Sequence, residues 1–179
     1  MNILLVVIIF FIPTSAIAID FHWIMPDGSV APDVKNRKAN SNFGGLLLVT
    51  ADIDWEKKWN EMKSPPKFKD DKIVKRGEHI YILPFFANPK LDNDSNFRVI
   101  CDVRLTRPDG SVSIDRKEVH CGEGKLEVSP QQIFVARAAF KYVGEQNEPL
   151  GEWKVSYRIK DILRGASILL EDSFVLVEK

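Results

Sequence analysis

An all-β sandwich of about seven or eight short strands, with one short helix near residues 52–62, is the fold class this 179-residue sequence predicts. Two observations carry it. In "LGEWKVSYRIKD", Trp153, Val155, Tyr157 and Ile159 alternate with Lys154, Ser156, Arg158 and Lys160, the period-2 pattern of a strand with one buried and one wet face. Short apolar or alternating runs recur along the chain, separated by turn residues.

Taken in order, "DFHWIM" and "GLLLVT" (45–50) are strand candidates. "DIDWEKKWNEM" follows, with Trp55, Trp59 and Met62 at helical spacing, Asp52 or Asp54 as cap and Ser64-Pro65-Pro66 as stop. "HIYILPFF" (79–86) is a strand in which Pro84, lacking an N–H, points to an edge or a bulge. "FRVICDVRLT" (97–106) places Val99, Cys101, Val103 and Leu105 on one face, and "SVSIDRKEVHC" returns beside it. "QIFVARAAFKYV" (132–143) reads as one strand. After the clean strand at 153–160, Gly165 marks a turn, and "ILLEDSFVLVE" gives a last strand or two short ones interrupted at Glu171-Asp172.

The pentapeptide Pro-Asp-Gly-Ser-Val occurs at 26–30 and again at 108–112. Pro presets the second turn position, Asp suits the third, and Gly takes the left-handed one that follows. The flanks of the two copies share no motif, which favours the same turn used twice over a duplicated unit. At 107–111 the turn pairs Arg107 with Ser111, so an unbroken hairpin sets Cys101 opposite Lys117 rather than Cys121. For Val112, Ile114, Val119 and Cys121 all to point inward, an extra residue must sit between Asp115 and Glu118, as in a β-bulge. The mismatch that remains requires a bend near Cys121 or a wider turn.

The ends and the composition bound the class. Residues 3–12 are an unbroken apolar run, broken by Pro13-Thr14-Ser15 and followed by Ala16-Ile17-Ala18, the pattern of a secretory signal peptide over 1–18. Ten apolar residues fall short of the roughly 20 that cross a bilayer. The expectation is an exported chain, periplasmic or extracellular, with a helix-bearing extension at 19–66 and the sandwich at 67–179 forming one compact domain. Basic and acidic residues number 25 each, so the basic excess of a nucleic-acid binder is missing. Cys101 and Cys121, an even count in an exported chain, favour a disulfide.

Motifs for chemistry are sparse. His22, His79 and His120 lack metal-ligand spacing, and no HExxH, CxxC, GxSxG or GxGxxG occurs. His120 and Cys121 are neighbours on a strand and so face opposite ways, which denies them a nucleophile–base hydrogen bond. Asp92 and Asp94 share a loop without the glutamate of an EF-hand, and read as turn residues. Trp153 belongs to the core. Trp55 and Trp59 either dock the helix on a sheet or form a platform for sugar rings. No catalytic, metal or cofactor-binding residue is expected. The expectation is a non-enzymatic binding module with a protein partner, met through a strand edge or loops. The alternatives are a carbohydrate-binding module using Trp55 and Trp59, and an enzyme with an unrecognised carboxylate site.

"KIVKRGEHIYILPFF", "RLTRPDGSV" and "PLGEWKVSYRIKD…FVLVE" together resemble the opening strands, middle hairpin and closing hairpin of immunoglobulin-like, and in particular macroglobulin-like, domains over about 72–178. The resemblance implies an immunoglobulin-like sandwich and no particular activity, because that fold hosts many roles. "HCGEGK" (120–125) resembles the thioester motif of larger macroglobulin and complement proteins, but Gly124 stands where the acyl-partner Gln belongs. The whole chain resembles small exported bacterial proteins.

Overall fold

The computed structural model describes residues 21–25, 27–61, 68–69 and 72–179; the apolar run and cleavage pattern at 1–18 lie outside them. Two five-stranded sheets pack face to face. The first runs β1 (Arg37–Asn40), β2 (Phe43–Thr50), β4 (His79–Ala87), then β7 (Ile133–Val135), with β8 (Phe140–Val143) also on β4. The second runs β3 (Ile73–Lys75), β10 (Ala166–Val177), β9 (Gly151–Asp161), β5 (Asn96–Thr106) and β6 (Val112–Lys125). One helix, α1 (Trp55–Asn60), links β2 to the segment before β3. All pairings are antiparallel except β3 with β10. The sheet β10–β9–β5 facing a sheet built on β4 and β8 is the two-layer arrangement of an immunoglobulin-like sandwich. Residues 37–50, within the expected extension, supply two strands of the first sheet.

Trp153, Tyr157, Ile159, Phe43, Leu47, Ile80, Ile82, Phe86 and Phe174 fill the space between the sheets, each fully buried. β4 is buried on both faces. Its inward row is Ile80, Ile82 and Phe86, while Leu83 and Phe85 on the outer face are equally covered. The near-continuous apolar run of this strand follows from that double burial.

Two sequence expectations are corrected and two are sharpened. Pro84 is neither at an edge nor in a bulge: it lies within the central strand β4, opposite Leu47. It is tolerated because the neighbour on its other side breaks there, β8 pairing residues 79–82 and β7 residues 85–87. The same break divides the single strand expected over 132–143. Ala136 N–H donates to the Pro84 carbonyl, Arg137 N–H turns away to the Cys121 carbonyl, and Ala139 N–H closes a turn onto Ala136. The last segment takes the first of its two expected forms, one continuous strand over 166–177, with Asp172 in the inward row between Leu170 and Phe174. Its charge is tolerated there because Lys72 Nζ lies 2.7 Å away. Finally, Asp54 stands at the N-cap position of α1, which spans only 55–60, but its side chain makes no capping hydrogen bond; Lys58 holds the Asp52 and Asp54 carboxylates, at 3.0 and 3.1 Å.

The two pentapeptide copies make the same turn. Gly28 N–H donates to Met25 O and Gly110 N–H to Arg107 O, both at 2.9 Å. Each is closed by a return bond, Met25 N–H to Ser29 O and Arg107 N–H to Ser111 O. Both glycines take positive φ, +84° and +86°. In each, the Asp carboxylate accepts the following Ser N–H. Of the "DFHWIM" stretch, the described residues 21–25 take part in one isolated bridge, Ile24 with Val30.

Beyond the second turn, β5 and β6 shift register three times, between Leu105 and Thr106, between Cys101 and Val103, and between Val99 and Ile100. The middle shift is the expected bulge: Val103 faces Arg116 while Cys101 faces Val119, and Glu118 adopts φ +55°. The Asp102 carboxylate accepts Glu118 N–H at 3.1 Å and is anchored by Lys160 at 2.8 Å. The third shift leaves Cys121 unpaired in the ladder and brings its sulfur to Cys101, with Cα atoms 5.8 Å apart. The expectation that Val112 points inward fails, since it is 41% exposed beside the first shift.

Candidate functional site

Three surfaces bear on function. The first is the outer face of β4, where α1 docks. The Trp55 ring packs on Tyr81 with centroids 6.1 Å apart and the Trp59 ring on Phe85 at 4.8 Å; both tryptophans are half-buried. A six-residue helix does not persist alone, so these contacts, with Asp52 bonded to Lys58 and Lys69 N–H, hold it in place. Burial works to raise the Asp52 carboxyl, but the Lys69 N–H and the Lys58 ammonium outweigh it and hold the group below the ordinary range. Trp23 lies buried on the same face, its Nε1–H donating to Lys38 O.

The second surface is the end of the sandwich that gathers the β4–β5 loop, the β6–β7 loop and the β9–β10 turn. The turn is pinned by Asp161, which is fully buried. Its Oδ1 accepts Arg164 N–H, and its Oδ2 accepts Lys90 N–H at 2.7 Å and Arg164 Nε–H at 3.2 Å. Arg164 also donates to Asn88 O, and Ile162 N–H to Arg98 O. On this fixed turn Ile162 and Leu163 stand 42% and 37% exposed. Val128, on the β6–β7 loop, is 48% exposed. In the β4–β5 loop Asp92 accepts the N–H groups of Asp94 and Asn96, an Asx-turn that lowers its pKa.

The third surface is an open cleft of about 540 Å³ on the outer face of the second sheet, lined by Lys154, Ser156, Glu171, Ser173, Lys72 and Arg104 among others. It lies where the edge of β10 passes from one neighbour to another. Glu171 N–H donates to Lys35 O on one side, and Val175 N–H to Lys72 O on the other. Between them Ser173 N–H is satisfied by the adjacent Asp172 side chain. The Asp172 side chain is 8% exposed, and its Oδ2 has no hydrogen-bond partner among the described residues. Sequence reasoning passed over Asp161 and Asp172, although strict alternation from Trp153 and from Phe174 places both inward.

Of the residues weighed in the sequence, Cys101 and Cys121 are joined, and His120 points outward to Glu123 at 3.3 Å. His79 packs edge-on against Tyr81. The structure does not bring the three histidines together, and no metal-binding group of three His, Cys, Asp or Glu occurs among the described residues. No helix there is long and apolar enough to cross a membrane.

No protein-family model and no curated protein matches the chain. Among solved structures it is similar to a family 123 glycoside hydrolase from Clostridium perfringens, at 12% identity and a TM-score of 0.45, over 76% of this chain and 28% of that one. It is also similar to a Niemann-Pick type C2 protein from Japanese carpenter ant, at 10% identity and a TM-score of 0.38, over 74% of this chain and 89% of that one. The chain thus spans little more than a quarter of the hydrolase's length. At these identities and scores neither likeness bears on activity.

Proposed function

We propose that the chain is an exported, non-enzymatic interaction module whose partner is a protein, met at the loop end. The observation that carries the reading is the β9–β10 turn. A fully buried carboxylate with three donors fixes a turn whose two aliphatic side chains face solvent. Preorganised apolar anchors on a rigid frame are what a protein interface uses for its central contacts. The sheet edges favour the loops further. The long edge strand β6 is interrupted by three register shifts and carries Asp115, Arg116, Lys117 and Glu118, which discourages strand addition. The edge of β1 is closed against β10. Export is supported by the apolar leader pattern and by the disulfide.

The test is affinity capture with three baits: wild type, the double variant Ile162→Asp with Leu163→Asp, and the double variant Trp55→Ala with Trp59→Ala. A protein held by the first and third baits and lost by the second supports the reading. Equal retention by all three overturns it. Glycan-array binding that disappears in the tryptophan variant replaces it with the carbohydrate reading.

A further inference from the structure

The cleft beside Ser173 is remote in the fold from the β9–β10 turn, and its lining calls for a different occupant. Its charges are mixed in sign and incompletely matched. Lys72 is engaged with Asp172, and Arg104 reaches Asp115 at 3.5 Å. Lys35, Lys154, Glu152 and Glu171 line the same cleft and form no ion pair among the described residues.

The sheet register explains why. Lys154 stands opposite Ser173, and Glu171 opposite Ser156. Lys154 and Glu171 are therefore diagonal neighbours on adjacent strands, about 7–8 Å apart at the backbone. The two serines on the other diagonal keep the floor between the charges low and polar. Asp172 also lines the cleft, from the inward row at the open stretch of the β10 edge, and its Oδ2 is reached by no described donor. Removed from bulk water, such an acceptor is costly without a donor.

We infer that this cleft binds a short zwitterionic peptide. Its terminal ammonium lies on the Glu171 side and its terminal carboxylate on the Lys154 side. An extended chain advances about 3.3–3.6 Å per residue, so two or three residues span the diagonal, whereas the adjacent charges of one amino acid do not. The volume suits that size, within the roughly 300–1,000 Å³ of small-ligand sites, and the polar floor suits a backbone more than an apolar side chain.

The experiment is a titration of the isotopically labelled protein with triglycine, followed by amide chemical shifts. N-acetyl-triglycine amide, which lacks both end charges, and glycine serve as comparison ligands. Expected are saturable shifts at Lys154, Ser156 and Ser173 with a dissociation constant below about 1 mM, and affinity at least tenfold weaker for both comparison ligands. Glu171→Gln and Lys154→Met, at exposed positions, each weaken triglycine at least tenfold and leave the thermal unfolding midpoint in place. The inference is overturned by absent or non-saturating shifts, by equal binding of the blocked peptide, or by shifts confined to other surfaces. Should either variant fail to fold, the blocked-peptide comparison decides by itself.

Discussion

Where β6 meets the β7–β8 connection, the two sheets meet through phenylalanine rings closed over a glycine, beside a disulfide that ties β6 to β5 within one sheet; where β10 meets β1, they are joined by a lysine and an asparagine, beside a Lys72–Asp172 pair within the second sheet. At the first seam Cys121 is held to Cys101, and its carbonyl accepts Arg137 N–H from the other sheet. Gly122 lets Phe86 and Phe97 close over the backbone, and Phe134 stacks on both. At the second seam Lys38 Nζ donates to Leu169 O, Asn40 Nδ2–H to Ser167 O, and Lys72 Nζ to Asp172. The dry seam binds the sheets through packing, on a strand that a covalent link fixes to its neighbour. The wet seam uses donors that also meet solvent, and the cleft opens beside it.

The largest effect is expected at the dry seam. Replacing Cys101 and Cys121 together by serine removes a cross-link of sequence separation 20 and costs about 3 kcal/mol in the chain-entropy view. Urea unfolding of the two proteins measures it. A loss under about 1 kcal/mol would mean that the phenylalanines hold the seam without the bond. Next is Gly122→Ala, whose added Cβ would lie 3.0 Å from ring atoms of both Phe86 and Phe97. Overpacking of this kind costs about 2 kcal/mol. An unchanged midpoint would show that the rings move aside freely.

The register that delivers Cys121 depends on a charge. Burial acts to raise the Asp102 carboxyl, yet Lys160 and the Glu118 N–H hold it below the ordinary carboxylate range. Its folded pKa thus lies below its unfolded one. Its contribution is complete above the unfolded value, near 4, and is lost as pH falls through the folded value. Asp102→Asn should cost about 1.5 kcal/mol at neutral pH and flatten the acid limb of the stability profile. Parallel acid limbs for variant and wild type would break the link between this carboxylate and the bulge.

The sequence makes the two seams unequally legible. The turn at 107–111 set a register, the register conflicted with a disulfide, and the conflict located a bulge between Asp115 and Glu118, where Glu118 has positive φ. Local rules sufficed because the hairpin is continuous in sequence. The shift that frees Cys121 was felt only as a required bend, since its cause, the Arg137 contact, comes from the other sheet. Pro84 signalled an interruption, but whether the strand itself or its neighbour is interrupted depends on tertiary pairing. The wet seam was hidden for the same reason: Lys38 and Leu169 lie 131 residues apart. Glu171-Asp172 left a strand break open as an alternative, because alternation alone does not reveal Lys72 beside Asp172. The Trp55 and Trp59 spacing marked a helix face and left docking and a sugar platform both open, and the double burial of β4 that the helix serves was visible only as an unusually apolar strand.

The smallest effect belongs to the wet seam and tests its character most directly. Lys38→Met keeps the aliphatic stem and deletes the ammonium that donates to Leu169 O at 2.8 Å. The loss should be about 1 kcal/mol, because the carbonyl lies at a partly buried edge where water replaces the lost donor. The local consequence should exceed the global one. The Glu171 N–H, bonded to Lys35 O a few residues along the same edge, should exchange faster with solvent, while the Tyr157 and Ile159 amides in the centre of β9 keep their protection. That pattern would establish the wet seam as a separately opening unit. If all these amides lost protection in equal proportion, the seam would open only with the whole sandwich, and the contrast between the two sides would be one of chemistry without a difference in local stability.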